Sequence, residues 1–170
     1  MSFSFYTVST DYCDFLRRFD HCVPYTMDKK SIRPFVGIVL NVNGFNYYAP
    51  LTSPKPKHIT MKNQTDFLKI NGGSWGAINF NNMIPVPLEC LKKVEMRIFD
   101  TDTKPDIDYK NLLSNQLSWC NSNKERILKQ AEKLYDSIIS GRASESLRSR
   151  CCKFAVDEQK CLEYAEINKA

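Results

Sequence analysis

Two apolar runs, residues 34–42 and 45–51, flank Asn43-Gly44 in the first third of the chain. A type I′ turn needs a positive φ at both central residues, which Asn and Gly adopt at little cost, so the pattern predicts a β-hairpin with a two-residue loop. In such a hairpin the numbers of facing residues add up to 87. The predicted pairs, from the turn outwards, are Val42 with Phe45, Ile38 with Ala49, Pro34 with Ser53 and Arg33 with Pro54.

Shorter patterns in the first 90 residues predict further strands and one helix. Alternation or turn signals predict strands at 3–8, 67–70, 75–80 and 83–87, a capped helix from Ser9 or Thr10 to about residue 19, and loops at 25–32 and 59–66. The prolines of the 83–87 segment confine it to a sheet edge or a bulge. Several short strands joined by turns favour a small, partly closed barrel.

The hydrophobic period changes after residue 106. Apolar residues recur every three or four positions up to residue 140, which is typical of one helical face. We expect a break at residues 121–123, a stop at Gly141 and a last helix from 154 or 156 to 167. The predicted class is α+β, as a single domain over 1–170 with barrel strands mainly in 3–90 and helices mainly in 9–20 and 106–168.

The composition fits one soluble domain of 170 residues with 42% hydrophobic residues. The chain has no apolar stretch long enough to span a membrane and no signal-peptide pattern at its start, so we expect a cytoplasmic protein. Seven cysteines without a Cys-x-x-Cys spacing, and only two histidines, argue against a zinc site and favour reduced thiols. We expect no metal and no cofactor.

The net charge of +5 is concentrated in one segment. Seven of the 24 basic residues but only two of the 19 acidic residues lie between 24 and 69, which leaves 17 of each sign elsewhere. Basic residues interleaved with Tyr25, Tyr47 and Tyr48 are typical of a surface that binds single-stranded nucleic acid through its backbone charge and its bases. The alternative is a solvated lysine-rich loop.

The open end of the hairpin is the predicted chemical site. The register brings Arg33 close to the segment that follows the second strand, Thr52-Ser53-Pro54-Lys55-Pro56-Lys57-His58. Two hydroxyls beside cations can hold a phosphate and stabilise negative charge that develops on it. The same residues also allow a simple turn or a Ser–Lys acyl-transfer site built on Ser53 and Lys55, although no Gly-x-Ser-x-Gly elbow is present.

The hairpin motif resembles the core motif of the ToxN/AbiQ family, the toxins of bacterial type III toxin–antitoxin systems. The matching residues are Phe35-Val36-Gly37-Ile38-Val39-Leu40, Gly44, Tyr47 or Tyr48, and Ala49-Pro50-Leu51-Thr52-Ser53-Pro54-Lys55. Shorter matches are Phe5-Tyr6-Thr7-Val8-Ser9, Phe19-Asp20, Val23-Pro24, Ile78-Asn79-Phe80, Met83-Ile84-Pro85, Tyr109, Leu112, Leu113 and Gln116. The resemblance covers about two thirds of the chain and ends before Gly141.

This resemblance implies a sequence-specific endoribonuclease with an antiphage, abortive-infection role. The implied fold is an SH3-like barrel of the MazF/Kid type, partly open and elaborated by helices. The implied reaction needs no metal: the 2′-hydroxyl of the RNA attacks the adjacent phosphate and leaves a cyclic phosphate and a 5′-hydroxyl. The implied partners are cellular or phage RNA and a small, pseudoknot-like antitoxin RNA, cut from a repeat transcript and then kept bound in a higher-order assembly such as a closed ring. No DNA or membrane partner is implied.

The family's active-site residues carry over to four positions. Thr52 and Ser53 would hold the non-bridging phosphate oxygens, and Lys55 would stabilise the phosphorane or protonate the leaving group. A lysine of relatives is replaced here by Arg33, which can clamp a phosphate but is a poor proton donor or acceptor. Proton transfer would then fall to Lys55, to the substrate or to a neighbour such as Lys29, Lys30, Tyr25 or His58.

Further residues are expected to contact RNA around these four. The predicted RNA-binding set is Tyr25, Lys29, Lys30, Lys57, His58, Lys62 and Lys69. For His58 we consider four roles: an acid, a base, a stacking partner for a base, or a surface histidine that closes a loop. Asp28 and Asp66 are expected to serve as local caps or in ion pairs. The alternative function is a non-catalytic SH3-like RNA-binding module.

Overall fold

The computed structural model describes residues 2–28 and 31–169 as a mixed α/β fold. Its strands are β1 (Ser4–Val8), β2 (Met27–Asp28), β3 (Ser31–Ile32), β4 (Phe35–Val42), β5 (Phe45–Thr52), β6 (Phe67–Lys69), β7 (Ala77–Asn79), β8 (Ile84–Pro85) and β9 (Leu91–Lys93). Its helices are α1 (Thr10–Arg17), α2 (Pro56–Thr60), α3 (Lys104–Ser122), α4 (Lys124–Ile139), α5 (Glu145–Arg150) and α6 (Phe154–Lys169). Single 3₁₀ turns lie at 71–73, 80–82 and 88–90.

One open antiparallel sheet forms the centre of the fold. Its strand order is β6-β7-β5-β4-β1-β9. Strand β8 also pairs with β5, at Tyr47 and Tyr48, whereas β7 pairs with Leu51 and Thr52. Strands β2 and β3 form a separate small hairpin. The long strand β5 therefore contacts β4, β7 and β8. The prediction of a mixed fold with an antiparallel sheet followed by helices is confirmed.

The hairpin has the predicted turn, but its register shifts along the strands. Asn43 and Gly44 both have a positive φ, and facing residues keep the predicted sum of 87 as far as Leu40 and Tyr47. An irregularity between Gly37 and Leu40 then adds two residues to β4, so that the sum becomes 85. The pairing of Ile38 with Ala49 is therefore wrong, because Val36 faces Ala49.

Close packing accompanies this bulge. A Cβ atom on Gly37 would lie 2.1 Å from the ring of Tyr48, so only glycine lets that ring pack against the strand. Extra residues in one strand shift every pair beyond them. The predicted pairs of Pro34 with Ser53 and of Arg33 with Pro54 are consequently wrong as well.

The other differences between the predicted and the observed elements concern elements of six residues or fewer. The 25–32 loop contains β2 and β3, and the first two residues of the expected 59–66 loop belong to α2. Strand β9 and helix α5 were not predicted; β9 exists because it pairs with β1. The predicted strands near 3–8, 67–70, 75–80 and 83–87, the first helix, the break near 123 and the last helix are all confirmed.

Helices α4 and α6 pack against each other and against strands β4 and β8 of the sheet. Tyr47 on β5 and Tyr135 on α4 both donate to the same carboxylate oxygen of Glu158 on α6, at 2.6 and 2.7 Å. The rings of Tyr135 and Phe154 stack with their centroids 5.6 Å apart. This cluster fixes the helical layer to the hairpin. Within the described residues no helix is both long and apolar enough to cross a membrane, and all seven cysteines are free thiols.

Candidate active site

The open end of the β4–β5 hairpin forms the shared wall of two adjoining cavities. Arg33 and Thr52 line both a cavity of about 510 Å³ and a small one of about 20 Å³. Ser53 lines the small cavity, and Lys55 lines the large one. The four residues predicted to be catalytic therefore lie around two cavities that share Arg33 and Thr52.

The corrected register brings Arg33 closer to the hydroxyl segment than the predicted one. The backbone N–H of Leu51 donates to the carbonyl of Pro34 at 3.0 Å, so the next outward position places Arg33 beside Thr52. The backbone N–H of Arg33 donates to the carbonyl of Thr26 at 2.6 Å. Arg33, two residues before β4, is thus held between Thr26 and the end of β5.

The chain bends sharply after Thr52 and enters the short helix α2. Pro56 occupies the first turn, where a missing N–H costs nothing and the fixed φ suits a helix. Thr52 is half-buried, whereas Ser53 and Lys55 are exposed to solvent. The bend therefore presents one hydroxyl from inside the wall and a second hydroxyl and an ammonium group from its rim.

Two glycines allow a neighbouring loop to pack tightly on this bend. Gly76 has a φ of +89°, and a Cβ atom there would lie 2.0 Å from the carbonyl oxygen of Thr52. Gly73 has a φ of +95°, and its Cβ would lie 2.4 Å from the carbonyl oxygen of His58. Both residues need a left-handed backbone and no side chain, so this loop fixes the site's main chain by direct contact.

His58 is the imidazole of this site, and it is buried rather than at the surface. Only 2% of the residue is exposed, and its ring packs at 5.9 Å from that of Phe67. The expectation of a surface histidine is wrong, although the residue still lines the large cavity. Burial, followed by the charges of Lys57 and Lys55, lowers the pKa of His58 below its usual range.

Helix α3 supplies the wall opposite the hydroxyls. Tyr109, Leu112, Leu113 and Gln116 line the small cavity together with Arg33, Thr52 and Ser53. Gln116 is buried and donates to the carbonyl of Trp75 at 2.8 Å, while its Oε1 atom has no hydrogen-bond partner among the described residues. A buried acceptor of this kind is free to bind a donor on a ligand.

Tyr109 and Gln116 belong to the matching motif but are not among the predicted site residues. A signal existed for Gln116, because it is a polar residue on the apolar face of a helix. Tyr109, and not Tyr25, is the tyrosine beside the hydroxyls. Tyr25 is 68% exposed, lies under the guanidinium of Arg17 at 4.1 Å and lines neither cavity.

The far wall of the large cavity comes from the C-terminal segment. Arg150 of α5 makes a two-pronged ion pair with the buried Asp66, with Nε–Oδ2 and Nη2–Oδ1 distances of 2.7 and 3.1 Å. Asp66 thus forms an ion pair as predicted, with a partner 84 residues away. Nothing in the sequence around Arg150 signals this contact.

The other predicted RNA-binding residues are only partly gathered here. Lys57 lines the large cavity. Lys62 is exposed and Lys69 donates to the carbonyl of Ile59 at 3.4 Å, and neither of them lines either cavity. Lys29 and Lys30 lie outside the described residues.

Side chains that could ligate a metal ion are found elsewhere in the described part of the chain. Asp20, Cys152 and Asp157 are buried within 4.8 Å of one another between α1 and α6, and Asp20 also groups with His21 and Cys22. The two oxygens of Asp20 already accept backbone N–H groups of Cys22 and Lys153, at 3.0 and 2.7 Å. These contacts make Asp20 a structural cap, and none of these five residues lines either cavity of the candidate site.

Hydroxyls and cations that line adjoining cavities are groups that can hold a phosphate. A family model described as toxin ToxN of type III toxin–antitoxin systems matches residues 4–162, and the chain belongs to this family. It is 34% identical to an endoribonuclease ToxN of Bacillus thuringiensis subsp. kurstaki, over 98% of this chain and 86% of that protein.

Solved structures show the same relationship. A toxin structure described with selective inhibition by a non-coding RNA pseudoknot has a TM-score of 0.79 at 33% identity and covers 98% of this chain and 99% of that one. AbiQ, described as a lactococcal anti-phage endoribonuclease, has a TM-score of 0.81 at 27% identity with the same coverage. The resemblance found in the sequence is thereby confirmed, and it extends beyond Gly141.

Proposed function

We propose that this chain is the toxin of a type III toxin–antitoxin system and cuts single-stranded RNA at the open end of the β4–β5 hairpin. The observation that carries the proposal is the convergence of Arg33, Thr52, Ser53 and Lys55 on two adjoining cavities. Family membership supports the same activity, since relatives over nearly the whole chain are endoribonucleases.

The proposed reaction uses the RNA's own 2′-hydroxyl as the nucleophile. A bond forms between O2′ and phosphorus, the bond from phosphorus to O5′ breaks, and the products are a 2′,3′-cyclic phosphate and a 5′-hydroxyl. Thr52 and Ser53 donate to the non-bridging oxygens, where negative charge grows in the transition state. Arg33 holds the phosphate, because its guanidinium stays charged at any working pH.

Lys55 is the proposed partner of the leaving oxygen. Its ammonium group stabilises the developing charge on O5′ and can deliver a proton to it. The 2′-hydroxyl gives up its own proton to a base, for which Tyr109 is a candidate because it lines the cavity with the two hydroxyls. The proposed step needs no metal ion.

The proposal extends to fold, partners and location. The bent hairpin, with β5 shared among three neighbouring strands, supports an SH3-like barrel of the MazF type. The C-terminal segment supplies Arg150 to the cavity wall, which supports one functional domain over 1–170. By analogy with the relative inhibited by an RNA pseudoknot, we propose a structured antitoxin RNA as inhibitor, a closed toxin–RNA ring, cellular or phage RNA as substrate, an antiphage role and action in the cytoplasm.

The chemistry is tested with an RNA that contains the preferred cleavage site. We expect cleavage in excess chelator, products with cyclic phosphate and 5′-hydroxyl ends, and no cleavage when one 2′-deoxy nucleotide stands at the cut. Cleavage that requires added magnesium, or products with 5′-phosphates, would sink the proposed reaction. Binding without cleavage would favour the alternative RNA-binding module.

A further inference from the structure

Both ring nitrogens of His58 face hydrogen-bonding groups of the candidate site. Nδ1 lies 3.2 Å from the backbone nitrogen of Lys55, and Nε2 lies 3.3 Å from the hydroxyl oxygen of Thr52. The ring is enclosed by Phe67, and the main chain of His58 is fixed by the close approach of Gly73. One imidazole thus connects the hydroxyl at the end of β5 with the main chain that carries the site lysine.

The Lys55 contact determines the tautomer of the ring. A backbone N–H can only donate, so Nδ1 must accept and carries no proton. In the neutral ring the proton is then on Nε2, which donates to Thr52 Oγ1. Because that oxygen accepts from the ring, the hydroxyl proton of Thr52 points elsewhere. Here it is directed to the carbonyl of Ser53 at 3.4 Å, a long contact that a charged phosphate oxygen would readily replace.

We infer that His58 is a positioning residue of the cleavage reaction: as a neutral imidazole with its proton on Nε2, it orients the Thr52 hydroxyl to donate to the scissile phosphate and holds Lys55 in register with it. This inference rests on the proposed ribonuclease function. It assigns to His58 neither a contact with RNA nor a proton that moves in the reaction. It therefore differs from the acid, base and stacking roles considered for this residue.

Protonation would break the arrangement. A second proton on Nδ1 would face the Lys55 N–H, and two donors cannot share one hydrogen bond. The groups that face the ring or line its cavity are mostly cationic: Lys55, Lys57, Arg33 and the Asp66–Arg150 pair, in which Arg150 neutralises the one carboxylate. This surrounding favours the neutral ring, in agreement with the lowered pKa of His58. Activity should fall only when the pH drops below the usual histidine range of about 6.5.

The tautomer can be measured on the unmodified protein. The chain has two histidines, so ¹⁵N-histidine labelling gives two sets of ring signals, and a His21→Asn variant assigns them. We expect His58 to be neutral at pH 7, with a protonated Nε2 and an unprotonated Nδ1. A proton on Nδ1, or a charged ring at pH 7, would overturn the inference. This measurement needs no substitution in the candidate site.

Three variants separate positioning from proton transfer. The side-chain amide of His58→Gln reaches the position of Nε2 and can still donate to Thr52, whereas that of His58→Asn reaches only the position of Nδ1. His58→Phe keeps the packing against Phe67 and loses both hydrogen bonds. We expect kcat to fall about 10- to 100-fold in the Phe and Asn variants and to recover to within a few-fold of wild type in the Gln variant.

Binding and pH profiles complete the test. Affinity for an uncleavable RNA with 2′-deoxy at the cut should stay within about twofold, because His58 does not touch RNA. The acidic limb of the wild-type rate profile should be absent in His58→Gln. A Gln variant as inactive as the Phe variant, although folded and able to bind RNA, would make His58 a proton carrier and refute the inference. Full activity in all three variants would refute it as well. Failure of the wild-type protein to cut any RNA would instead refute the proposed function.

Discussion

The turn end and the open end of the β4–β5 hairpin differ in how far along the chain their contacts reach. At the turn end, Asn43 and Gly44 have the conformations that two residues dictate, and the register is the one that loop length sets. At the open end, the walls come from residues 33, 52–58, 109–116 and 150, which only the folded chain brings together. Local rules therefore govern the turn, and tertiary packing governs the site.

The largest effect is expected for the loss of Lys55, and comparison with a lysine elsewhere shows whether its position or only its positive charge matters for cleavage. Lys55→Ala removes the ammonium group from the cavity rim and should lower the rate of RNA cleavage about 100- to 1,000-fold. Lys104→Ala removes a lysine that is 84% exposed on α3 and pairs with Asp108, and it should cut at the wild-type rate. Equal, small losses in both variants would reduce Lys55 to a contributor of background charge.

Two glycine substitutions compare the ends directly through stability. Gly76→Ala puts a methyl group 2.0 Å from the carbonyl of Thr52 and should cost about 3 kcal/mol of unfolding free energy. Gly44→Ala at the turn has the same kind of positive φ but open space around it, so we expect about 1 kcal/mol. Urea denaturation of both variants measures this difference. Equal costs would mean that the loop does not pack on the site as the structure shows.

A buried carboxyl group away from the hairpin's open end should affect stability alone. Asp157 lies on α6, and burial, helped by Asp20, raises its pKa to about 10 from the usual 3.8. The two carboxylate oxygens of a charged Asp157 have no hydrogen-bond partner among the described residues. A protonated Asp157 can instead donate a hydrogen bond to Asp20. The folded protein therefore keeps this proton at neutral pH.

The sign of the pH dependence follows from that proton. Above about pH 4 the unfolded chain releases the proton while the folded chain retains it, so stability falls with rising pH by up to about 1.4 kcal/mol per unit. Asp157→Asn keeps a donor for Asp20 and should flatten this dependence between pH 6 and 8, with an unchanged cleavage rate. A variant whose stability follows pH as steeply as wild type would contradict the assignment.

The smallest effect concerns the distant wall of the site. Arg150→Ala leaves the buried carboxylate of Asp66 without its guanidinium partner, but Arg150 is 41% exposed, so solvent weakens the pair. We expect a loss of about 1 kcal/mol in stability, seen as a lower melting temperature, and none for Arg148→Ala on the same helix. RNA affinity should also decline modestly for Arg150→Ala only.

The comparison explains how much could be predicted. The hairpin, the long helices and the meeting of Arg33 with Thr52, Ser53 and Lys55 follow from local patterns and from the family motif. The bulge between Gly37 and Leu40 has no signal in the hydrophobic period, because it depends on the packing of Tyr48 against Gly37. The burial of His58 depends on how Phe67 and Gly73 of the following elements fold back onto it, and the contact between Arg150 and Asp66 joins residues 84 positions apart. Hydrophobic periodicity carries no sign of either.

The most direct test of the account is the single-turnover cleavage rate of Ser53→Ala, measured together with its affinity for RNA that carries 2′-deoxy at the cut. If the exposed hydroxyl stabilises the transition state, the rate falls about 100- to 1,000-fold, roughly 3 to 4 kcal/mol, while the affinity stays unchanged. A rate close to wild type, or a loss of binding equal to the loss of cleavage, would contradict the claim that the open end of the hairpin carries out the reaction.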